Sequence, residues 1–146
     1  DIIWSLNAQN DGLYQVLEHI KDIGMEIFSD TDIEFEFIHQ LLKDNSLKLK
    51  LDYSRNLTMI FKEIYNNILK HAQATQVNVK VELDAFNQVR IVVIDNGKGF
   101  NSTVQHGGNG LKNIQNRVSR LGGEVNFENT NNVGTHITII FKTIFV

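Results

Sequence analysis

The sequence predicts an α/β fold of the α+β sandwich kind, a mixed sheet with helices packed on one face. Three observations lead there. The hydrophobic period switches along the chain in the order helix, strand, helix, two strands, glycine-rich loop, helix, two strands. The segment VRIVVID is a near-continuous apolar run, as expected of a central strand buried on both faces. The closing segments EVNFEN and THITIIF read as a hairpin across TNNVG.

The elements follow in order. In NDGLYQVLEHIKDIGMEIFSD, the residues Leu13, Val16, Leu17, Ile20, Ile23 and Ile27 recur with helical spacing, and Asn10 or Asp11 is the expected cap. DIEFEFIH alternates Ile33, Phe35 and Phe37 with Glu34 and Glu36, the pattern of a half-buried strand. LKLKL is either a short extension or a loop. A second helix is expected over about 53–72, with Leu57, Ile60, Phe61, Ile64 and Ile68 on its core side. Two strands follow, QVNVKVELD and VRIVVID, joined by a polar turn near 86–88. A third helix spans roughly 111–121, and Gly122-Gly123 stops it.

A chain of 146 residues suggests one domain with a real core. Its net charge of −3 and lack of a basic run argue against nucleic acid as a partner. No apolar stretch approaches the ~20 residues that cross a bilayer, so no membrane contact is expected. With no cysteine, disulfides and thiolate metal sites are excluded. The sequence opens on Asp1 and not on Met, and is expected to be a piece of a longer chain.

VIDNGKGFNSTVQHGGNGLKNIQNRV is unusual. Gly97, Gly99, Gly107, Gly108 and Gly110 crowd a short loop behind Asp95, although glycine is entropically costly. A P-loop does not fit, because Val92 takes the first glycine position and Gly99 the Ser/Thr position. A dinucleotide fingerprint does not fit either, because Ser102 stands at its third glycine. What remains is D-x-G-x-G at a strand end, a lid-like loop, and G-x-G-L opening a helix. Such a helix start offers unpaired N–H groups to phosphates. An Asp there can accept a hydrogen bond from an exocyclic amine such as that of adenine. The alternative is a plain strand–turn–helix connection built from turn-forming Asn and Gly.

The second helix adds chemistry. Glu63, Asn67, Lys70 and His71 stand at i, i+4, i+7 and i+8, within about a quarter turn of one face. A lone Asn carbonyl with triphosphate oxygens makes a workable Mg²⁺ site, Lys70 can neutralise phosphate, and Glu63 can take or orient a proton. The alternative is a solvated polar stripe.

Four segments in order, EIYNNILKHAQAT (63–75), DNGKGF (95–100), GNGLKNIQNRV (108–118) and GT (134–135), resemble the N, G1, G2 and closing glycine boxes of the GHKL ATPase superfamily, which has the Bergerat-type ATP-binding fold. The wording NN-x-x-KHA, the short lid and GL-x-x-I-x-x-R are similar to sensor histidine kinases that signal to LuxR/NarL-type response regulators. The motif-bearing part covers residues 56–141.

This resemblance implies ATP and Mg²⁺ as cofactors. Asn67 would bind the metal, with Asn66 beside it. Glu63 would be the catalytic base that polarises the acceptor histidine. Lys70 and His71 would face the phosphates. Asp95 would hold the adenine amine, and Gly97 and Gly99 would let the chain hug the nucleotide. Gly108, Gly110 and Leu111 would close the lid, and Thr135 would position Asp95 or an adenine-bound water. Residues 1–30 would end an upstream dimerisation or linker helix, and 31–146 would form the catalytic ATP-binding domain. Its partners would be the protein's own phosphoacceptor domain and a response regulator. The fragment would be monomeric, while the full protein would be a homodimeric, membrane-anchored sensor with this domain in the cytoplasm.

Departures from the family pattern are local. None of His19, His39, His71, His106 and His136 sits in a recognisable acceptor box, so the acceptor is expected outside this sequence. Ala8 stands where the family's Asn-Pro would place a proline. Two rival functions share the same residues: an anti-sigma-type serine kinase, and a non-catalytic nucleotide-binding interaction module.

Overall fold

The computed structural model describes residues 12–45, 47–98, 110–130 and 134–142. Helix α1 (Leu13–Phe28) leads to strand β1 (Glu34–His39), then to helix α2 (Leu51–Asn67), which runs on as a π-helical turn (Ile68–Ala72). Strands β2 (Gln76–Leu83) and β3 (Gln88–Asp95) precede helix α3 (Gly110–Arg120), and β4 (Glu124–Thr130) and β5 (Gly134–Lys142) close the fold. The five strands form one sheet in the order β1-β2-β3-β5-β4. The β1–β2 pair is parallel and the other pairs are antiparallel, so the sheet is mixed as the sequence predicts.

The core lies between one face of this sheet and the helices. Val77, Val79, Val81, Val89, Ile91, Val93, Ile137, Ile139 and Phe141 supply the sheet side. Leu57, Ile60, Phe61 and Ile64 of α2 and Ile114 and Val118 of α3 meet them, each burial contributing roughly 1.5–3 kcal/mol. Helix α1 buries Leu13, Val16, Leu17 and Ile20 in the same core. The described part of the segment expected to end an upstream helix is therefore packed against the sheet domain. The buried Tyr65 hydroxyl of α2 donates to the Ile20 carbonyl of α1 at 3.1 Å, which ties the two helices.

The expectation for VRIVVID needs correction. β3 is central, between β2 and β5, but it is not buried on both faces. Val89, Ile91 and Val93 face the core, whereas Arg90 and Ile94 are exposed and Val92 is half-buried. With helices on one side only, an apolar residue on the other side stays near solvent.

Boundaries move for identifiable reasons. The N-cap of α1 is Gly12, with no side-chain cap bond; Asn10 and Asp11, the expected caps, lie outside the described residues. In LKLKL, Lys48 bridges Gly12, Leu49 is buried, and Leu51 opens α2. α3 ends in a Schellman turn. Gly122 takes φ +68°, its N–H donates to Ser119 O at 2.9 Å, and the Gly123 N–H donates to Val118 O at 3.0 Å.

Candidate nucleotide site

Two clusters form where the sequence places its motifs. The first lies at the end of β3. Asp95 is 3% exposed, and its Oδ1 accepts the Gly97 N–H at 2.9 Å in an Asx turn and the Thr135 N–H at 3.4 Å. The Thr135 hydroxyl adds a further hydrogen bond. Burial pushes the Asp95 carboxyl above its usual range, and these hydrogen bonds oppose the shift without cancelling it. The result is a rigid, desolvated carboxylate, which is a stronger acceptor than an exposed one.

Gly134 makes this possible. Its φ is +105°, and a Cβ on it would clash with the Asp95 carbonyl oxygen, a backbone atom. Only glycine lets the start of β5 cross so close to the end of β3.

The second cluster joins α2 to α3. A Cβ on Gly110 would stand 2.9 Å from both Asn67 Oδ1 and Nδ2 and 3.0 Å from Glu63 Oε1. The first residue of α3 thus lies directly against the polar face of α2, and Glu63 and Asn67 converge on one point beside a helix N-terminus. Leu111 follows, half-buried. Glu63 and Asn67 are half-buried as well, while Asn66, Lys70 and His71 are exposed.

The helical face read from the sequence holds for Glu63 and Asn67 but changes after them. Ile68–Ala72 takes π geometry, a wider turn frequent at functional sites, so Lys70 and His71 are shifted in phase from a straight α-helix. Gln73 then turns in the left-handed region at φ 51°. Gly99 and Gly108, the other glycines read as nucleotide contacts, lie outside the described residues.

Asn96, between Asp95 and Gly97, has a role that sequence reasoning missed. Its Oδ1 accepts the N–H groups of Thr75 and Gln76, both at 2.9 Å, and its Nδ2 donates to Thr75 Oγ1 at 2.9 Å. It staples the exit of the π turn to the strand end that bears Asp95, and so ties the two motifs together. The signal was available as an Asn beside a strand end, but its partners are distant in sequence. Of the histidines, His39 is held by Glu18 at 2.8 Å and accepts the Leu41 N–H on Nδ1 at 3.2 Å. His19 lies in a shallow groove with Asp22, Ile23, Glu26 and Lys62. Burial and the Lys62 charge lower its pKa. Among the described residues no group of three His, Asp or Glu side chains could hold a metal ion, and no helix is long and apolar enough to cross a membrane.

The chain is similar to known proteins in sequence and in fold. Sensor histidine kinase LiaS of Bacillus subtilis (strain 168) is 33% identical over 142 residues, covering 90% of this chain and 39% of that protein. DegS of Brevibacillus brevis, a signal transduction histidine-protein kinase/phosphatase, is 37% identical over 84 residues, 57% of this chain and 22% of its own length. The chain thus spans well under half the length of these relatives. Among solved structures, the histidine kinase domain of the blue-light activated histidine kinase from Erythrobacter litoralis EL346 superposes with a TM-score of 0.71. That match has 18% identity over 88% of this chain and 61% of that one, a likeness of fold. Residues 52–144 match the model of the family described as histidine kinase-, DNA gyrase B-, and HSP90-like ATPase, and they contain both clusters. The chain belongs to this ATPase family.

Proposed function

We propose that this chain is the ATP-binding catalytic domain of a two-component sensor histidine kinase, transferring the γ-phosphoryl group of ATP to a histidine outside the chain. The observation that carries this reading is the convergence of Glu63 and Asn67 on Gly110, where a helix N-terminus meets a carboxylate and an amide. The similarity to relatives named sensor histidine kinases supports it.

In this reading buried Asp95 accepts the adenine amine, positioned by Thr135, while Gly97 and Gly99 let the backbone approach the base. Gly108, Gly110 and Leu111 turn N–H groups toward phosphate oxygens. Lys70 and His71 are exposed at the end of α2 and free to turn toward phosphate, with Asn66 beside them. The Asn67 carbonyl oxygen is the protein ligand for Mg²⁺. One hard oxygen donor in a half-buried place fits a cation that keeps most of its water and takes phosphate oxygens. When bound, the metal neutralises charge on the phosphates.

Glu63 acts on the nucleophile. It accepts a hydrogen bond from one ring N–H of the acceptor imidazole, which leaves the lone pair on the other nitrogen directed at phosphorus. The new N–P bond forms as the bond from the γ-phosphorus to the bridging oxygen breaks, and ADP leaves with that electron pair. The partners of the reaction are the protein's own phosphoacceptor domain and then a response regulator, within a homodimeric, membrane-anchored sensor that keeps this domain in the cytoplasm.

Calorimetric titration with ATP, with and without Mg²⁺, tests the reading. Wild-type chain binds ATP in a Mg²⁺-dependent way, and Asn67→Ala loses that dependence. Unchanged metal dependence in Asn67→Ala removes the metal assignment, and absence of ATP binding removes the function.

A further inference from the structure

Helices α2 and α3 touch through two polar points. One is Gly110 against Glu63 and Asn67. The other is two turns along α3, where Arg117 Nη1 donates to Asn56 Oδ1 at 3.3 Å. Asn56 is also two turns back along α2 from Glu63, so the helices run antiparallel and the two points mark the same register. Between them lie apolar residues, Ile114 on α3 and Leu57, Ile60, Phe61 and Ile64 on α2, with Val118 just beyond Arg117. Apolar burial is non-directional; it holds helices together but discriminates poorly between small slides along their axes. A hydrogen bond with fixed geometry does discriminate.

The orientation of Asn56 is set by its own helix. Its Nδ2 donates to the Asp52 carbonyl at 3.0 Å, which leaves Oδ1 presented to the guanidinium. The bond is charge-assisted and half-buried, so competition from water is reduced. Among the described residues, the base end of the site has no such link to α3. Asp95 is held by Gly97 and Thr135, and Asn96 by Thr75 and Gln76.

The geometry points to Asn56 and Arg117 as positioning residues for the phosphate end of the nucleotide: their hydrogen bond fixes the register that keeps the N-terminus of α3 against Glu63 and Asn67. The inference rests on the ATP-binding reading above. Loosening the pin shifts α3 and weakens the grip on the phosphates, while the adenine seat at Asp95 is untouched.

The test titrates the chain with ATP plus Mg²⁺ and with AMP, by calorimetry, in wild type, Asn56→Ala, Arg117→Ala, the double variant and Asn56→Asp. Circular dichroism checks that each variant is folded. Each alanine variant is expected to lose about tenfold in ATP affinity and to keep its AMP affinity. The double variant loses no more than either single one, because both remove the same bond. Asn56→Asp gives up the bond to the Asp52 carbonyl but offers Arg117 a charged acceptor on either carboxylate oxygen, and is expected to retain wild-type ATP affinity. Equal losses for ATP and AMP, additive losses, or an Asn56→Asp variant as weak as Asn56→Ala would each overturn the positioning role. Should an alanine variant unfold, the comparison of Asn56→Asp with Arg117→Lys, which keeps a donor, decides: loss of the ATP-over-AMP preference in both overturns it. A wild-type chain that binds neither nucleotide overturns the ATP reading itself, and the inference with it.

Discussion

Gly110 of α3 and Asn67 of α2 are in contact only because residue 110 has no side chain: a Cβ there would sit 2.9 Å from both polar atoms of the Asn67 amide. The two residues come from motifs far apart in sequence, and their contact is where the second helix and the glycine-rich segment become one site.

The first prediction follows from what that clash would displace. In Gly110→Ala the obstructing atoms are ends of flexible side chains, so Asn67 and Glu63 swing aside at little cost in stability. Alanine also gains up to about 1 kcal/mol of helix propensity. The melting temperature is expected to stay near wild type. ATP affinity should fall about tenfold, because one of the displaced groups, Asn67, is the one assigned to the metal. A thermal melt paired with calorimetry separates the two effects; unchanged affinity would show that the site tolerates a methyl group here.

Gly134→Ala is the opposite case. The added Cβ meets the Asp95 carbonyl oxygen, which belongs to the backbone and cannot swing aside, and φ +105° is strained for any L side chain. The expected loss is roughly 2–4 kcal/mol, a drop in melting temperature of about 5–15 °C for a domain of this size. Chemical denaturation measures it. A loss below about 1 kcal/mol would mean that β5 can move away from β3 without penalty.

Asp95→Asn should trade binding for stability. Burial raises the carboxyl's folded pKa above its unfolded value, so the native state favours the protonated form. The stability linked to that shift is full below the unfolded pKa and is lost as pH rises through the folded one. At neutral pH the buried charge therefore destabilises the free domain. The Asn side-chain oxygen keeps the bonds from Gly97 and Thr135 and carries no charge. The variant is expected to melt no lower than wild type at pH 7, with its relative advantage shrinking as pH falls toward 4. ATP affinity should drop ten- to a hundredfold, about 1.5–3 kcal/mol, because an amide can present a donor to the adenine amine. Melts across pH with nucleotide titrations check both halves.

Much of this was legible in the sequence, for reasons that differ by element. α1 spells its buried face in Leu13, Val16, Leu17 and Ile20, since a 3.6-residue period survives wherever one face meets a core. β3 was over-read: an apolar run states what a strand can bury, and whether a second layer exists to cover Val92 and Ile94 is a tertiary fact. The π turn at Ile68–Ala72 leaves no mark in residue type, because its backbone bonding changes while its residues remain ordinary helix formers. The staple from Asn96 to Thr75 and the pin from Arg117 to Asn56 join residues far apart in the chain, and no local pattern encodes such pairs. The glycines were conspicuous as a group; which neighbour each one admits became visible only in three dimensions.

The last prediction separates the nucleotide from the nucleophile. Glu63 converges on the same point as Asn67, yet the two have different tasks in the proposed reaction. Asn67 acts on the metal and phosphates, so its loss should be felt in binding. Glu63 acts on the acceptor imidazole, so Glu63→Gln should leave ATP affinity within about twofold of wild type. An amide polarises the ring N–H more weakly than a carboxylate, and transfer to the phosphoacceptor domain supplied in trans should fall by about 10²-fold or more. Single-turnover transfer with γ-labelled ATP, beside a calorimetric titration of the same variant, reads both quantities. Because the effect lies in the chemical step, raising ATP to saturation should not restore the rate. Restoration by excess ATP would place Glu63 among the nucleotide-binding groups and leave the reaction without its base.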